Sequence, residues 1–291
     1  MPITSEQIDQ YKKTGFLHIP NAIPVNVLRQ WQQLAYDLEQ KVRQAPEVHS
    51  NVHASSEKEK LILRQNHLLP VYPDALLELL ALPAILEIAS KFCGRGAVPL
   101  SCDLMYKRAG RDSTVLWHQD APHNRRFPYL NIGIYLDDSP AGDGCLRYVP
   151  GSQKKLQDIC SLTKQYGWSI PGYMECTAKA GDIIIHDIMV LHCSKAKVTN
   201  DVRRTIYLEM RPYDAIVEEG HHSLYWAELR QKWMAMVQRR VRDTAAFGEL
   251  FDGLPNDVEN EAKEIEQLIN HREPLLPASY CHEKIMRSDY P

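Results

Sequence analysis

No apolar run in this chain approaches the roughly 18 residues that cross a bilayer. There is no H-E-x-x-H helix, no C-x-x-C pair, no internal repeat and no low-complexity tract. These absences argue against a membrane-spanning helix, a zinc protease of the common kind, a zinc ribbon and a solenoid. Charge is also missing as a signal. The 34 Lys+Arg and 37 Asp+Glu leave a formal charge of -3 with neutral histidines, too balanced for a nucleic-acid or polybasic membrane binder. The first residues, MPITSEQIDQ, carry neither a basic nor an apolar segment, so the expectation is a soluble, cytoplasmic protein without a cleaved signal. The seven cysteines (93, 102, 145, 160, 176, 193 and 281) are odd in number and unpaired in spacing, and are expected to be reduced, mostly buried thiols. What remains, 44% hydrophobic and 24% charged residues, is an ordinary globular composition.

The texture of the chain changes near residue 97. Before it the pattern is helical: Thr4-Ser5 can cap a helix to about Thr14, and Phe16 to Pro20 reads as a short extended strand. Pro24 opens an amphipathic segment with Val27, Leu28, Trp31, Leu34, Leu38 and Val42 at helical spacing. Residues 47–60 read as loop, and 73–93 as a third helix. From 97 follow eight short apolar or alternating runs, namely VPLSCDLMYKR, TVLWHQD, LNIGIYLDD, GCLRYVPGS, YMECTAK, GDIIIHD, MVLHCSK and RRTIYLEMRP. That succession predicts an all-β sandwich or jelly roll, not a parallel α/β sheet. Helix returns at about 223–243 and again near 257–271, where the acidic run Asp257 to Glu266 reads as a solvated face. The expected organisation is one domain, 1–291, with a helical region 1–96, a β core 97–213 and C-terminal helices and tail 214–291.

Within that core, WHQD at 117–120 places His118 and Asp120 two residues apart, on one face of a strand. With a third ligand from another strand they would form the two-histidine, one-carboxylate set typical of non-haem Fe(II) oxygenases. Alone the pair means little, since about one H-x-D arises by chance among twelve histidines. Downstream, however, His192 and Ser194 share a strand, and Arg203 stands eleven residues after His192. Along the last strand Ile206, Leu208 and Met210 alternate with Thr205, Tyr207 and Glu209, and Arg203 falls in the polar set that should face a cavity. There it could hold a carboxylate by two charge-assisted hydrogen bonds. A register slip of one residue would substitute Arg204. The same alternation separates Ile132, Ile134 and Leu136 from Asn131, Gly133 and Tyr135.

In order along the chain, GFLHIPNAI, Lys107 in MYKRAG, WHQD, DGCLRYVPGS, AGD at 180–182, HCS at 192–194 and Arg203 resemble the phytanoyl-CoA dioxygenase family of Fe(II)- and 2-oxoglutarate-dependent oxygenases, over roughly residues 5–212. The resemblance implies a double-stranded β-helix, a cupin-like jelly-roll core, wrapped by N- and C-terminal helices. It implies iron held by His118, Asp120 and His192, and 2-oxoglutarate held by Arg203 with Ser194, Lys107 being a weaker candidate. It further implies O2 and a small or medium organic substrate as partners, with release of succinate and CO2. Hydroxylation is the leading outcome; desaturation, epoxidation and cyclisation are the others. Related iron halogenases carry a small residue where this chain has Asp120. A non-catalytic jelly-roll binding module is the alternative from another class, and the chain is expected to be a monomer or homodimer.

Other polar residues have open roles. His186 rivals His192 as third ligand, though a lone histidine in an apolar strand is more often a hydrogen-bonded core residue. His123, where the family often has an aromatic residue, either contacts ligand or is exposed. Arg64, Asn66 and His67 read as a solvated turn in preference to a cover over the site, and His221, His222 and Tyr225 as a lid or a dimer contact.

Overall fold

All eight alternating runs form strands, and they divide between two antiparallel sheets. The computed structural model describes residues 2–44, 52–55, 61–123, 126–255, 260–287 and 289–290. The strands are β4 (Ala97–Lys107), β5 (Val115–Gln119), β6 (Leu130–Tyr135), β7 (Leu146–Tyr148), β8 (Met174–Cys176), β9 (Ile183–Asp187), β10 (His192–Ser194) and β11 (Arg203–Pro212). With β1 (Phe16–Ile19), β2 (Val52–Ala54) and β3 (Ile62–Gln65), the larger sheet has the order β1-β9-β6-β11-β4-β3-β2. The smaller sheet, β12-β5-β10-β7-β8, is completed by β12 (Ser279–Tyr280) from the tail. Along the core the chain passes from sheet to sheet, so β5 and β10 become neighbours although more than seventy residues separate them. This is the expected double-stranded β-helix.

Helices cover the outer face of the larger sheet, as the alternation requires. Ile206, Leu208 and Met210 of β11 and Ile132 and Ile134 of β6 pack in one core with Trp31, Ala35 and Leu38 of α2 (Val25–Gln44), Leu76 of α3 (Pro73–Leu80) and Trp226 of α7 (Leu224–Gln238). Burying each such aliphatic side chain contributes about 1.5–3 kcal/mol. The helix α1 (Ser5–Thr14) starts at a Thr4–Gln7 capping box, which satisfies two backbone donors reciprocally.

Four local expectations need correction. The helix expected over 73–93 is broken: α3 ends at Leu80, and α4 (Pro83–Ile88) begins anew because Leu82, preceding proline, is driven to an extended conformation. Within 47–60, residues 52–54 form β2 against β3; residues 47–51 and 56–60 lie outside the described residues. A helix in the β region, α5 (Ile159–Tyr166), follows Asp158, whose side chain accepts from the Ser161 amide. The C-terminal half adds α6 (Tyr213–Glu219) and α8 (Gly248–Phe251), while α9 (Glu261–Asn270) is the helix expected near 257–271. Glu264 of α9 is buried and bonds Lys232, so that acidic face is not wholly solvated.

The cysteine expectation also fails in part. Cys160 of α5 and Cys281, just past β12, form a disulfide across 121 residues. The other five are free and buried. No spacing rule could pair residues so far apart.

Candidate active site

Strand geometry brings His118, Asp120 and His192 together. His118 of β5 and His192 of β10 are direct cross-strand partners, their rings 4.0 Å apart between centroids. Asp120 lies one residue beyond β5, where its amide donates to the Ile188 carbonyl and its side chain turns back toward the pair. The His118 Nε2 is 3.4 Å from Asp120 Oδ1 and the His192 Nε2 is 3.7 Å from Oδ2. One ligand atom from each residue lies within 4.8 Å of the other two. Both imidazoles donate from Nδ1 to a carbonyl two residues back, Leu116 and Val190 respectively, at 2.8 Å. That fixes the tautomer and leaves each Nε2 lone pair for a metal. Burial, and then His118 nearby, hold His192 well below the ordinary histidine value, so it is neutral at physiological pH. Burial pushes the Asp120 carboxyl up, but the adjacent His118, His186 and His192 outweigh it and hold the group well below its ordinary value. Two imidazoles with one carboxylate form a donor set that can hold iron.

Opposite the triad, β11 and β4 present two buried cations. Arg203 pairs in register with Lys107. Arg203 Nη1 donates to Ser139 Oγ and the Gly144 carbonyl, while its Nε has no partner. Lys107 Nζ donates to Ser194 Oγ at 2.8 Å and to the Ser113 carbonyl. Neither has a carboxylate partner among the described residues. Burial first, and Arg203 second, push the lysine well below its usual value. Two adjacent cations held out of water without counter-charge favour an anionic ligand between them. Arg204, by contrast, faces away and makes a bidentate pair with Asp137, so the register of β11 places Arg203 at the cavity.

These groups line one cavity of about 480 Å³, within the range of small-molecule sites. Its other walls include Arg64, Met105, Asn131, Thr205, Tyr207 and Tyr280. Gly133 lies under Tyr207: a Cβ there would meet the tyrosine ring at 3.0 Å. Arg64 lies on β3 and not in a turn; though exposed, it is held by Asp103 and lines the cavity. His186 also faces the cavity: its Nδ1 meets the Tyr148 hydroxyl at 3.0 Å, and its unpartnered Nε2 is 3.9 Å from Asp120 Oδ2. It therefore sits beside the triad, outside the compact ligand set.

Tyr280 went unread in the sequence. β12 pairs with β5 so that Tyr280 stands opposite His118 and stacks on its ring, 4.7 Å away and nearly parallel. The adjacent Cys281 staples this segment to α5. A two-residue strand in a polar tail carries no periodicity, so no local signal could have found it. Several candidate residues lie elsewhere. His67 takes a positive φ and its amide donates to Asp103, beside a separate cleft. The Asn66 carbonyl accepts from Gln65. His222 is buried on Trp226, and Tyr225 is exposed against His271. His123 and His221 meet each other outside the cavity.

The architecture and the enclosed residues define a double-stranded β-helix protein with a His-Asp-His site. The chain belongs to the phytanoyl-CoA dioxygenase family, whose sequence model matches residues 11–205. A search of the curated proteins finds no significant match. Among solved structures, EvdMO1 is similar with a TM-score of 0.62 and 25% identity, over 71% of this chain and 49% of that one. The match thus spans about half the length of EvdMO1. AviO1 from Streptomyces viridochromogenes Tue57 gives a TM-score of 0.63 at 22% identity, over 74% of this chain and 97% of AviO1. EctD from S. alaskensis with bound Fe gives 0.60 at 18% identity, covering 74% and 78%. At the identities of AviO1 and EctD the likeness speaks for the fold alone.

Proposed function

We propose that this chain, acting as one unit over residues 1–291, is an Fe(II)- and 2-oxoglutarate-dependent oxygenase that hydroxylates a small or medium-sized organic molecule. The observation that carries the reading is the coincidence, in one cavity, of the His118-Asp120-His192 set and the uncompensated cations Arg203 and Lys107. His118, Asp120 and His192 would hold the iron on one side. Arg203 would grip the distal carboxylate of 2-oxoglutarate, with Lys107 and Ser194 beside it. When bound, the iron and its co-substrate supply the activation of O2, with succinate and CO2 as co-products. The protein's own contribution is to orient these groups and exclude water. Tyr280 shields one face of His118, and the mixed polar and apolar walls leave room for a small substrate. Family membership supports the reading, as do the structures of the fold neighbour EctD with Fe and with 2-oxoglutarate and 5-hydroxyectoine. The five buried free thiols support a cytoplasmic location, against which the Cys160–Cys281 bond weighs.

Anaerobic addition of Fe(II) and 2-oxoglutarate tests this directly. A visible charge-transfer band should develop in the wild type, and succinate should accumulate on admitting air. Both should vanish in Asp120→Ala. A chain that retains no iron and releases no succinate would instead be a non-catalytic jelly-roll binding module.

A further inference from the structure

Outside the cavity, a second group of metal-ligating side chains converges. His123 follows β5 by four residues, Glu219 ends α6, and His221 lies two residues further on. A ring nitrogen from each histidine and a carboxylate oxygen of Glu219 all lie within 4.8 Å of one another. None of the three lines the cavity that holds the first triad. We propose that His123, Glu219 and His221 form a second divalent-metal site, fitted to a four-coordinate ion such as zinc with water as fourth ligand.

The local backbone builds this arrangement. Gly220 adopts φ +67, and a Cβ at this position would meet nothing within 4 Å, so the turn and not crowding calls for glycine there. That left-handed residue ends α6 and folds the chain so that Glu219 and His221 come back to one point. On the other side, His123 Nδ1 donates to the Ala121 carbonyl at 2.8 Å. This fixes the ring with Nε2 aimed at Glu219 Oε2, 3.2 Å away. It is the same device that orients His118 and His192, an Nδ1–H bond to the carbonyl two residues back.

A second observation points to a missing ligand. The Glu219 side chain is only 9% exposed, its Oε2 accepts from the Tyr129 hydroxyl, and its Oε1 is buried with no partner. A carboxylate oxygen held out of water without donor or cation is costly. A cation shared with two imidazoles would satisfy it. Two imidazoles, one carboxylate and an open position form a common protein environment for zinc.

Occupancy would tie the loop leaving the first triad to α6. Only Ala121, itself at φ 37, and Pro122 separate Asp120 from His123. The second ion would therefore brace the segment that carries the carboxylate ligand of the first site.

Co(II) alone, added to metal-free chain under anaerobic conditions, separates the two sites by spectrum, because a four-coordinate ion absorbs far more strongly in the visible than a six-coordinate one. His118→Ala/His192→Ala should keep one ion with the strong absorption. His123→Gln/His221→Gln should lose that ion and its bands, with affinity falling by more than the roughly 10- to 100-fold typical of losing an outer-shell partner. His221→Gln alone, at an exposed position, should give the same loss and guards against misfolding of the double variant. The proposal is overturned if His118→Ala/His192→Ala binds no strongly absorbing ion, or if the bands survive in the His123 and His221 variants. Because the readout is taken with the first triad removed, its outcome is independent of the oxygenase reading.

Discussion

Replacing Arg203 by alanine deletes the buried guanidinium opposite the triad while leaving the triad intact. In the wild type its Nε has no partner, and only Nη1 is engaged, by Ser139 and Gly144. Truncating one partner of a buried, hydrogen-bonded charge pair costs about 2–5 kcal/mol. At about 1.4 kcal/mol per tenfold, 2-oxoglutarate would bind about 30- to 4,000-fold more weakly. Lys107 moderates the loss. After burial, its second depressing influence is Arg203 itself, so in the variant the lysine moves back toward its usual value. The expectation therefore lies toward the lower end of that range. Anaerobic titration of the Fe(II) chain with 2-oxoglutarate, followed by its charge-transfer absorbance, measures the shift. Arg204→Ala is the control: it breaks the bidentate pair with Asp137 and should lower the melting temperature without moving 2-oxoglutarate affinity. The assignment is refuted if Arg203→Ala stays within a few-fold of wild type while folded, or if Arg204→Ala gives the larger loss.

Three further outcomes are expected. Gly144→Ala should raise the 2-oxoglutarate requirement, because at φ +72 its Cβ would lie 2.7 Å from the Lys195 carbonyl and 3.0 Å from Lys107 Cε, displacing the carbonyl that holds Arg203; a titration matching wild type would contradict this. Cys160→Ser should free the tail, exposing 276–287 to proteolysis and removing the Tyr280 ring from His118, at a stability cost of up to about 5 kcal/mol for so long a loop; unchanged digestion would show that β12 holds without its staple. Asp143 is buried in the fold, which pushes its carboxyl up, but bonds from Lys197, Val198 and Thr199 outweigh this and hold it well below the ordinary range. A depressed carboxylate stabilises the fold above its unfolded value of about 3.9 and loses that contribution as the pH falls through its folded value. Asp143→Asn should thus be less stable at neutral pH, by about 2 kcal/mol, and lose less on acidification; denaturant midpoints from pH 7 to pH 3 would show parallel curves if the reasoning were wrong.

Much of this was legible residue by residue. Alternation along LNIGIYLDD and RRTIYLEMRP carries its own answer about which side is covered, because successive strand residues must point to opposite faces. Ile132 and Ile206 are buried under helices, while Asn131, Thr205 and Tyr207 line the cavity. The helix over 73–93 misled because apolar spacing continues through Pro83, although the proline breaks the backbone. Arg64 misled in the other direction: a charged residue in a short segment reads as a turn until Asp103 on a neighbouring strand is seen to hold it on β3 at the cavity.

By itself the sequence determined the strands, their inward and outward faces, and the histidine, aspartate and arginine types that a metal and a carboxylate require. Those properties are local, set by backbone period and side-chain chemistry over a few residues. Only the tertiary structure decided which distant residues meet. It pairs His118 with His192 across four sheet-to-sheet passages, selects Arg203 over Arg204 through strand register, and brings Tyr280 and Cys281 back from the far end of the chain. It also gathers His123, Glu219 and His221 from two segments with no shared motif. Such contacts depend on chain topology, and no periodicity of one segment records the position of another.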